Sequence, residues 1–146
     1  MKTQEARSLS IADIQAGLKE TLVWQVRADE IDDFARLSGD FNPLHMDADY
    51  ARAQGFRDRV AHGYLQGAKI SGMIGMRLPG KRCLLLEQAV AYPNPVYPGD
   101  EVTIELTVKE LREEFGLIEL KVRAVKIDND KKTTTARGTV TCKILS

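Results

Sequence analysis

A chain of 146 residues is the size of one ordinary domain and long enough to bury a core. Its 43% hydrophobic and 29% charged content fits a soluble globular protein, with 21 basic residues against 21 acidic ones. That neutrality lacks the basic excess of a nucleic-acid binder, and no run of about 18 apolar residues is present to span a membrane. The N-terminal twenty residues are polar and include acids, unlike a secretory or transit sequence. Cys83 and Cys142 lack the close spacing of zinc ligands and read as buried thiols in a reducing compartment, so a cytoplasmic location is expected.

In chain order, Ser10 followed by Ile-Ala-Asp-Ile predicts a short helix over 11–18, and residues 21–27 have strand composition. Residues 29–37 predict a helix with Ile31, Phe34, Ala35 and Leu37 on one face, ended by Gly39 in a left-handed conformation. Pro43 disfavours helical geometry at Asn42, so 40–44 is expected to be an irregular loop. A short helix over 48–54 closed by Gly55 follows, then a longer one from Gly63 or Tyr64 to about Leu78. Residues 83–92 form a strand of mixed pattern, and Pro98-Gly99-Asp100 turns into the next. Residues 101–111, 117–124 and 134–144 each alternate apolar and polar side chains, the signature of half-buried antiparallel strands. Asp128-Asn129-Asp130 suits the turn between the last two. No repeat, low-complexity tract or linker divides the chain, so residues 1–146 are expected to form one domain. Helices first and long strands after them give the α+β class, not a doubly wound sheet.

Within the long helix, Gly63, Gly67, Ser71 and Gly75 recur every four residues along one face. An interior glycine costs about 1 kcal/mol relative to alanine. The stripe therefore predicts a close approach, by a curled sheet, a partner helix or a thin substrate arm. The unpaired N–H groups at this helix's start, beside Gly63, can donate to an oxyanion.

The stretch SGDFNPLHMD (38–47) holds one of the chain's two histidines. Asp40 and His45 are a carboxylate and an imidazole in one loop, able to flank a water and move its protons, as a hydratase or dehydratase requires. The structural alternative makes Asp40 an Asx-turn residue and His45 a backbone-bonded histidine. No nucleophile elbow and no glycine-rich phosphate loop is present. The spacing of His45, Asp40, Asp47 and Asp49 matches no common metal site, so no metal is expected.

Residues 34–51, FARLSGDFNPLHMDADYA, resemble the hydratase motif of MaoC-like dehydratases and (R)-specific enoyl-CoA hydratases, with Asp40, Asn42, Pro43, His45 and Ala51 in the motif's positions. The resemblance continues through VAHGYLQGAKISG (60–72) and PVYPGDEV (95–102). It implies the hot-dog fold, a long helix wrapped by a curved antiparallel sheet, and a homodimer, sometimes assembled further. It implies Asp40 and His45 as the catalytic pair, the Gly63 N–H as the donor to the thioester carbonyl, Ser71 as a support near the pair, and Asn42 as the residue orienting loop or water. The implied reaction adds water to a trans-2-enoyl-CoA to give an (R)-3-hydroxyacyl-CoA, with CoA as part of the substrate and no metal or redox cofactor.

His62 reads as structural, and Arg57, Arg59, Lys69, Lys81 and Arg82 as solvated surface charges. The nearest rival is a dehydratase of 3-hydroxyacyl thioesters on an acyl-carrier protein, which a basic docking rim would favour. A thioesterase usually lacks the Asp-Asn-Pro-His loop, and a non-catalytic thioester-binding subunit has no need of an intact Asp40/His45 pair.

Overall fold

The computed structural model describes residues 4–146, so the first three residues of the polar N-terminal stretch lie outside the described residues. Strands β1 (Lys19–Gln25), β2 (Cys83–Ala91), β3 (Glu101–Arg112), β4 (Leu117–Asp128) and β5 (Lys131–Ile144) form one antiparallel sheet in the order β1-β3-β4-β5-β2. The three alternating stretches are its central strands. Register places Leu106 opposite Val122 and Val108 opposite Leu120, and carries the row on from Leu120 to Val140. All of these side chains are buried, so cross-strand rows make the apolar face continuous. Bulges in β2, β3 and β5 bend the strands. Asn129 and Asp130, with φ of 50° and 61°, close the tight β4–β5 turn that sequence predicts.

Among the described residues, five helices or helical turns precede β2. The predicted helix over 11–18 is only a 3-10 turn, Ile11–Asp13. The Ser10 N–H and hydroxyl both donate to the Asp13 carboxylate (2.8 and 2.9 Å), and Gly17 at φ 89° then redirects the chain into β1. Helix α1 (Ala28–Ser38) buries Ile31 and Ala35 and ends at Gly39, φ 78°, as expected. Leu37 is instead 85% exposed, because it lies about 120° around the helix from Ile31. Helices α2 (Pro43–Met46) and α3 (Ala48–Ala53) follow, then α4 (Gly63–Met76).

Helix α4 lays Leu65, Ile70, Met73 and Ile74 into the same core as the inner face of the sheet. Ser71, Gly72 and Gly75 face outward. This is the hot-dog arrangement of a long helix against an antiparallel sheet. Among the described residues no helix is long and apolar enough to cross a membrane. Cys83 and Cys142 are free thiols, with Cys142 buried and its pKa pushed up by the neighbouring Cys83 thiol and by burial.

One inward position of β4 carries a charge. Lys126 is 3% exposed, and its ammonium donates to Asp100 Oδ2 and to the Pro95 carbonyl, both at 2.8 Å. Asp100 also accepts from the Arg57 guanidinium (2.7 Å) and the Tyr97 N–H (2.9 Å). These bonds fix the segment before β3, whose Val96 carbonyl accepts from the Ala61 N–H at 2.8 Å. The buried ion pair thereby anchors the chain just ahead of α4.

Candidate active site

Asp40 leaves α1 directly after Gly39, and its two carboxylate oxygens have different roles. Oδ1 accepts from the Asn42 N–H (3.2 Å), the Asx turn that loop chemistry suggests. Oδ2 lies 3.7 Å from His45 Nε2. The structural and catalytic readings of Asp40 are thus compatible, one for each oxygen. The loop is more regular than expected: Pro43 opens α2, with Asn42 as the N-cap whose Oδ1 accepts from the Leu44 N–H at 2.9 Å. Proline at a first helical position gives up only a donor that the helix leaves unpaired anyway. Asp47 caps α3 by accepting from the Asp49 and Tyr50 N–H groups.

His45 sits in α2 with its ring held at one end. Nδ1 is 2.6 Å from the Val60 carbonyl, which can only accept, so Nδ1 carries a hydrogen. Nε2 is therefore the nitrogen that gains or loses a proton, and it faces Asp40. At 3.7 Å the pair is too far apart for a direct hydrogen bond, and a water seated beside them can contact both groups.

His62 is 2% exposed and stacks on His45, with centroids 3.8 Å apart. Its Nε2 donates to the Asp40 carbonyl at 3.0 Å. Burial lowers its pKa, against the opposing pull of the Asp40 carbonyl. Asp40, His45 and His62 can place three ligand atoms within 4.8 Å of one another. With Nε2–H committed to a carbonyl, however, His62 keeps its lone pair on the buried Nδ1, so the cluster offers a metal two ready ligands rather than three.

Gly63 begins α4, where an N–H has no intrahelical partner. It lines a cavity of about 330 Å³ together with His45, Phe56, Gln66 and Tyr92. The glycine stripe's close approach is made by Tyr92, at the end of β2. A Cβ at Gly63 would meet Tyr92 Cδ2 at 2.8 Å, and one at Gly67 would meet its hydroxyl at 3.1 Å. At Gly72 and Gly75 a Cβ would meet nothing within 4 Å, so half the stripe is explained within the chain. Tyr92 also borders a groove of about 440 Å³ with Phe34, Ser71, Leu85 and Gln88. Ser71 lies there, eight residues along the helix from Gly63, and makes no side-chain hydrogen bond to the Asp40–His45 loop among the described residues. Sequence reasoning missed Tyr92, although the stripe signalled that some side chain must press there.

Most of the cations expected to be solvated are engaged. Arg59 is largely buried, donates to the His45 carbonyl (2.6 Å) and pairs with Asp32, so it braces α2 against α1. Lys69 pairs with Glu30, which also accepts from Trp24 Nε1 at 3.0 Å. Burial alone would raise the Glu30 pKa, but Lys69, Trp24 and the Arg27 N–H together hold it below the usual range. Arg57 binds Asp100 and Asp128, and Arg82 donates to the Ser8 hydroxyl.

Residues 11–141 match the family model described as the MaoC like domain. The chain is 39% identical over 115 residues to an (R)-specific enoyl-CoA hydratase of Aeromonas caviae, covering 79% of this chain and 86% of that one. It is 34% identical over 105 residues to a mitochondrial 3-hydroxyacyl-[acyl-carrier-protein] dehydratase of Arabidopsis thaliana, covering 72% of this chain and 59% of that one. Among solved structures, R-hydratase PhaJ1 from Pseudomonas aeruginosa superposes with a TM-score of 0.88 at 29% identity, covering 98% of this chain and 90% of that chain. A hot-dog hydro-lyase, an enzyme that adds or removes water, is the class that this fold and these relatives define. Within that class, the chain belongs to the MaoC-like dehydratase family.

Proposed function

We propose that this protein is an (R)-specific enoyl-CoA hydratase, adding water reversibly to a trans-2-enoyl-CoA to give an (R)-3-hydroxyacyl-CoA. The observation that carries the reading is the 3.7 Å gap between Asp40 Oδ2 and His45 Nε2, beside a cavity that also exposes the start of α4 at Gly63. The thioester carbonyl accepts from the Gly63 N–H, which draws electron density from the double bond and stabilises the enolate. The attacking water sits beside the pair, within reach of both Asp40 Oδ2 and His45 Nε2. Asp40 takes one of its protons as the oxygen bonds to C3, and protonated His45 delivers its Nε2 proton to C2. The pair ends with the proton on Asp40, and transfer across the gap to His45 through the next water restores it. The reverse sequence is dehydration. Every step uses groups of this chain and water, without a metal or redox cofactor. Asn42 holds the loop as a cap, and Ser71 lines the groove beside Tyr92 along which the thioester arm would pass.

Edge strand β2 leaves Leu84, Leu85 and Leu86 exposed, which supports a homodimer joined along this edge. The two free thiols support a reducing compartment such as the cytoplasm.

The test is hydration of crotonyl-CoA, followed as loss of the conjugated enoyl absorbance, with chiral analysis of the product. Asp40→Asn and His45→Ala are expected to lower kcat by about 10²–10⁴-fold. Full activity in either variant would remove that residue's assigned role. A second reading, dehydration of carrier-protein-bound thioesters, is favoured by the Arabidopsis relative. Activity on the carrier-protein substrate but none on CoA thioesters of several chain lengths would select it.

A further inference from the structure

We infer that His62 is the positioning residue of the active site, setting the geometry of Asp40, His45 and the Gly63 donor together. The inference rests on the hydratase reading above and assigns a role to a residue outside the catalytic pair.

Three contacts converge on this one residue. Its Nε2–H donates to the Asp40 carbonyl at 3.0 Å, fixing the turn from which the carboxylate projects. Its ring lies on the His45 ring at 3.8 Å with an interplanar angle of 26°, so His45 can pivot about its Val60 bond only by breaking the stack. The amide nitrogen of Gly63 belongs to the peptide that His62 begins, so the direction of the oxyanion donor follows the His62 backbone. Phe34 also packs on the imidazole, with centroids 4.8 Å apart and the rings tilted, and His62 is 2% exposed.

A core-filling role does not account for the side chain. His62 Nδ1 is buried and has no hydrogen-bond partner among the described residues. A buried unsatisfied acceptor is destabilising, and an apolar ring of similar size would fill the space without it. What phenylalanine cannot supply is the donor to the Asp40 carbonyl, and what glutamine cannot supply is the flat face against His45. A single neutral imidazole supplies both. The charged or titratable groups acting on it are Asp40, His45 and Arg59, and burial outweighs the pull of Asp40 to keep the ring neutral.

The test uses His62→Phe, which keeps the stack and drops the donor, and His62→Gln, which keeps a donor and drops the ring. The chain has two histidines, so either variant leaves His45 as the only imidazole and makes its ¹⁵N spectrum unambiguous. In the wild type, His45 is expected to show a protonated Nδ1 held by the Val60 carbonyl. In His62→Gln its signals move toward tautomer-averaged values. In both folded variants kcat on crotonyl-CoA falls by about tenfold or more, because displacement of reacting groups by about 1 Å is enough for such losses. KM stays within about twofold, since substrate binding is left intact. Unchanged His45 signals in folded His62→Gln overturn the inference, and so does a wild-type kcat in both folded variants. Should His62→Phe fail to fold, His62→Gln carries both readouts. A wild type without hydratase activity overturns the functional reading instead, and the ¹⁵N spectra then decide the geometric one without any substrate.

Discussion

Gly63→Ala probes the junction of fold and chemistry in one substitution. The added Cβ would lie 2.8, 3.1 and 3.2 Å from three carbons of the Tyr92 ring, so the clash is with the face of the ring rather than its flexible end. Restoring an ordinary carbon–carbon separation of about 3.5–4.0 Å requires the ring or the helix start to retreat by roughly 1 Å. Overpacking of this kind costs about 1–3 kcal/mol. Alanine returns at most about 1 kcal/mol of helix propensity. The net loss is therefore about 1 kcal/mol, or about 2–4 °C in Tm for a chain of this size. Activity should fall further than stability, by about 10- to 100-fold, since the same retreat misplaces the N–H proposed to meet the thioester carbonyl. Thermal melts and crotonyl-CoA hydration read the two effects. In a Tyr92→Ala background the substitution should become neutral or stabilising, giving a coupling of about 1–3 kcal/mol. A single variant that melts no lower than wild type with unchanged kcat/KM would refute the close approach and the donor placement together.

Two further outcomes are expected. Lys126→Met leaves Asp100 without its buried partner, which typically costs about 3–5 kcal/mol; Arg57 remains 2.7 Å away, so the lower end is expected in denaturant melts, and no measurable loss would show that the pair is inert. Stability should also fall on acidification. The His62 pKa is depressed below 6.5 in the folded state, so below that pH the unfolded chain binds a proton the native one does not. Glu30 is depressed below 4.5, and its contribution is lost as pH falls through its folded value. Melts of His62→Phe should lose the part of the pH slope that begins near 6.5, at most about 1.4 kcal/mol per pH unit; an identical slope in wild type and variant would contradict the neutral buried imidazole.

Much of the fold was legible because its signals are local. Alternation at 102–108, 118–124 and 136–144 depends only on which face of a strand meets water. Gly39 and Gly55 mark helix ends because a left-handed φ suits glycine, and both adopt it. The Asp40/His45 pair was legible for the same reason, since five residues of loop can bring a carboxylate near an imidazole without help from the rest of the chain. Where local signals competed, the reading failed. Pro43 both disfavours helix at Asn42 and favours starting one at its own position, and the cap at Asn42 decided for α2. The 11–18 helix lost to a side-chain turn at Ser10–Asp13 and to Gly17.

The sequence by itself determined the strand faces, the long helix with its small-residue stripe, and the chemical identity of the Asp40/His45 pair proposed to act on water. Only the tertiary structure decided what fills the stripe, what holds the pair, and which charges are buried. Tyr92 reaches Gly63 from the end of β2, 29 positions on, and His62 stacks on His45 from 17 positions on. Lys126 occupies an inward strand position that pattern alone would assign to an apolar residue, and Asp100 just ahead of β3 makes it tolerable there. Each is a pairing between groups far apart in the chain. Periodicity records the side a residue faces; the partner it meets there depends on how sheet and helix pack.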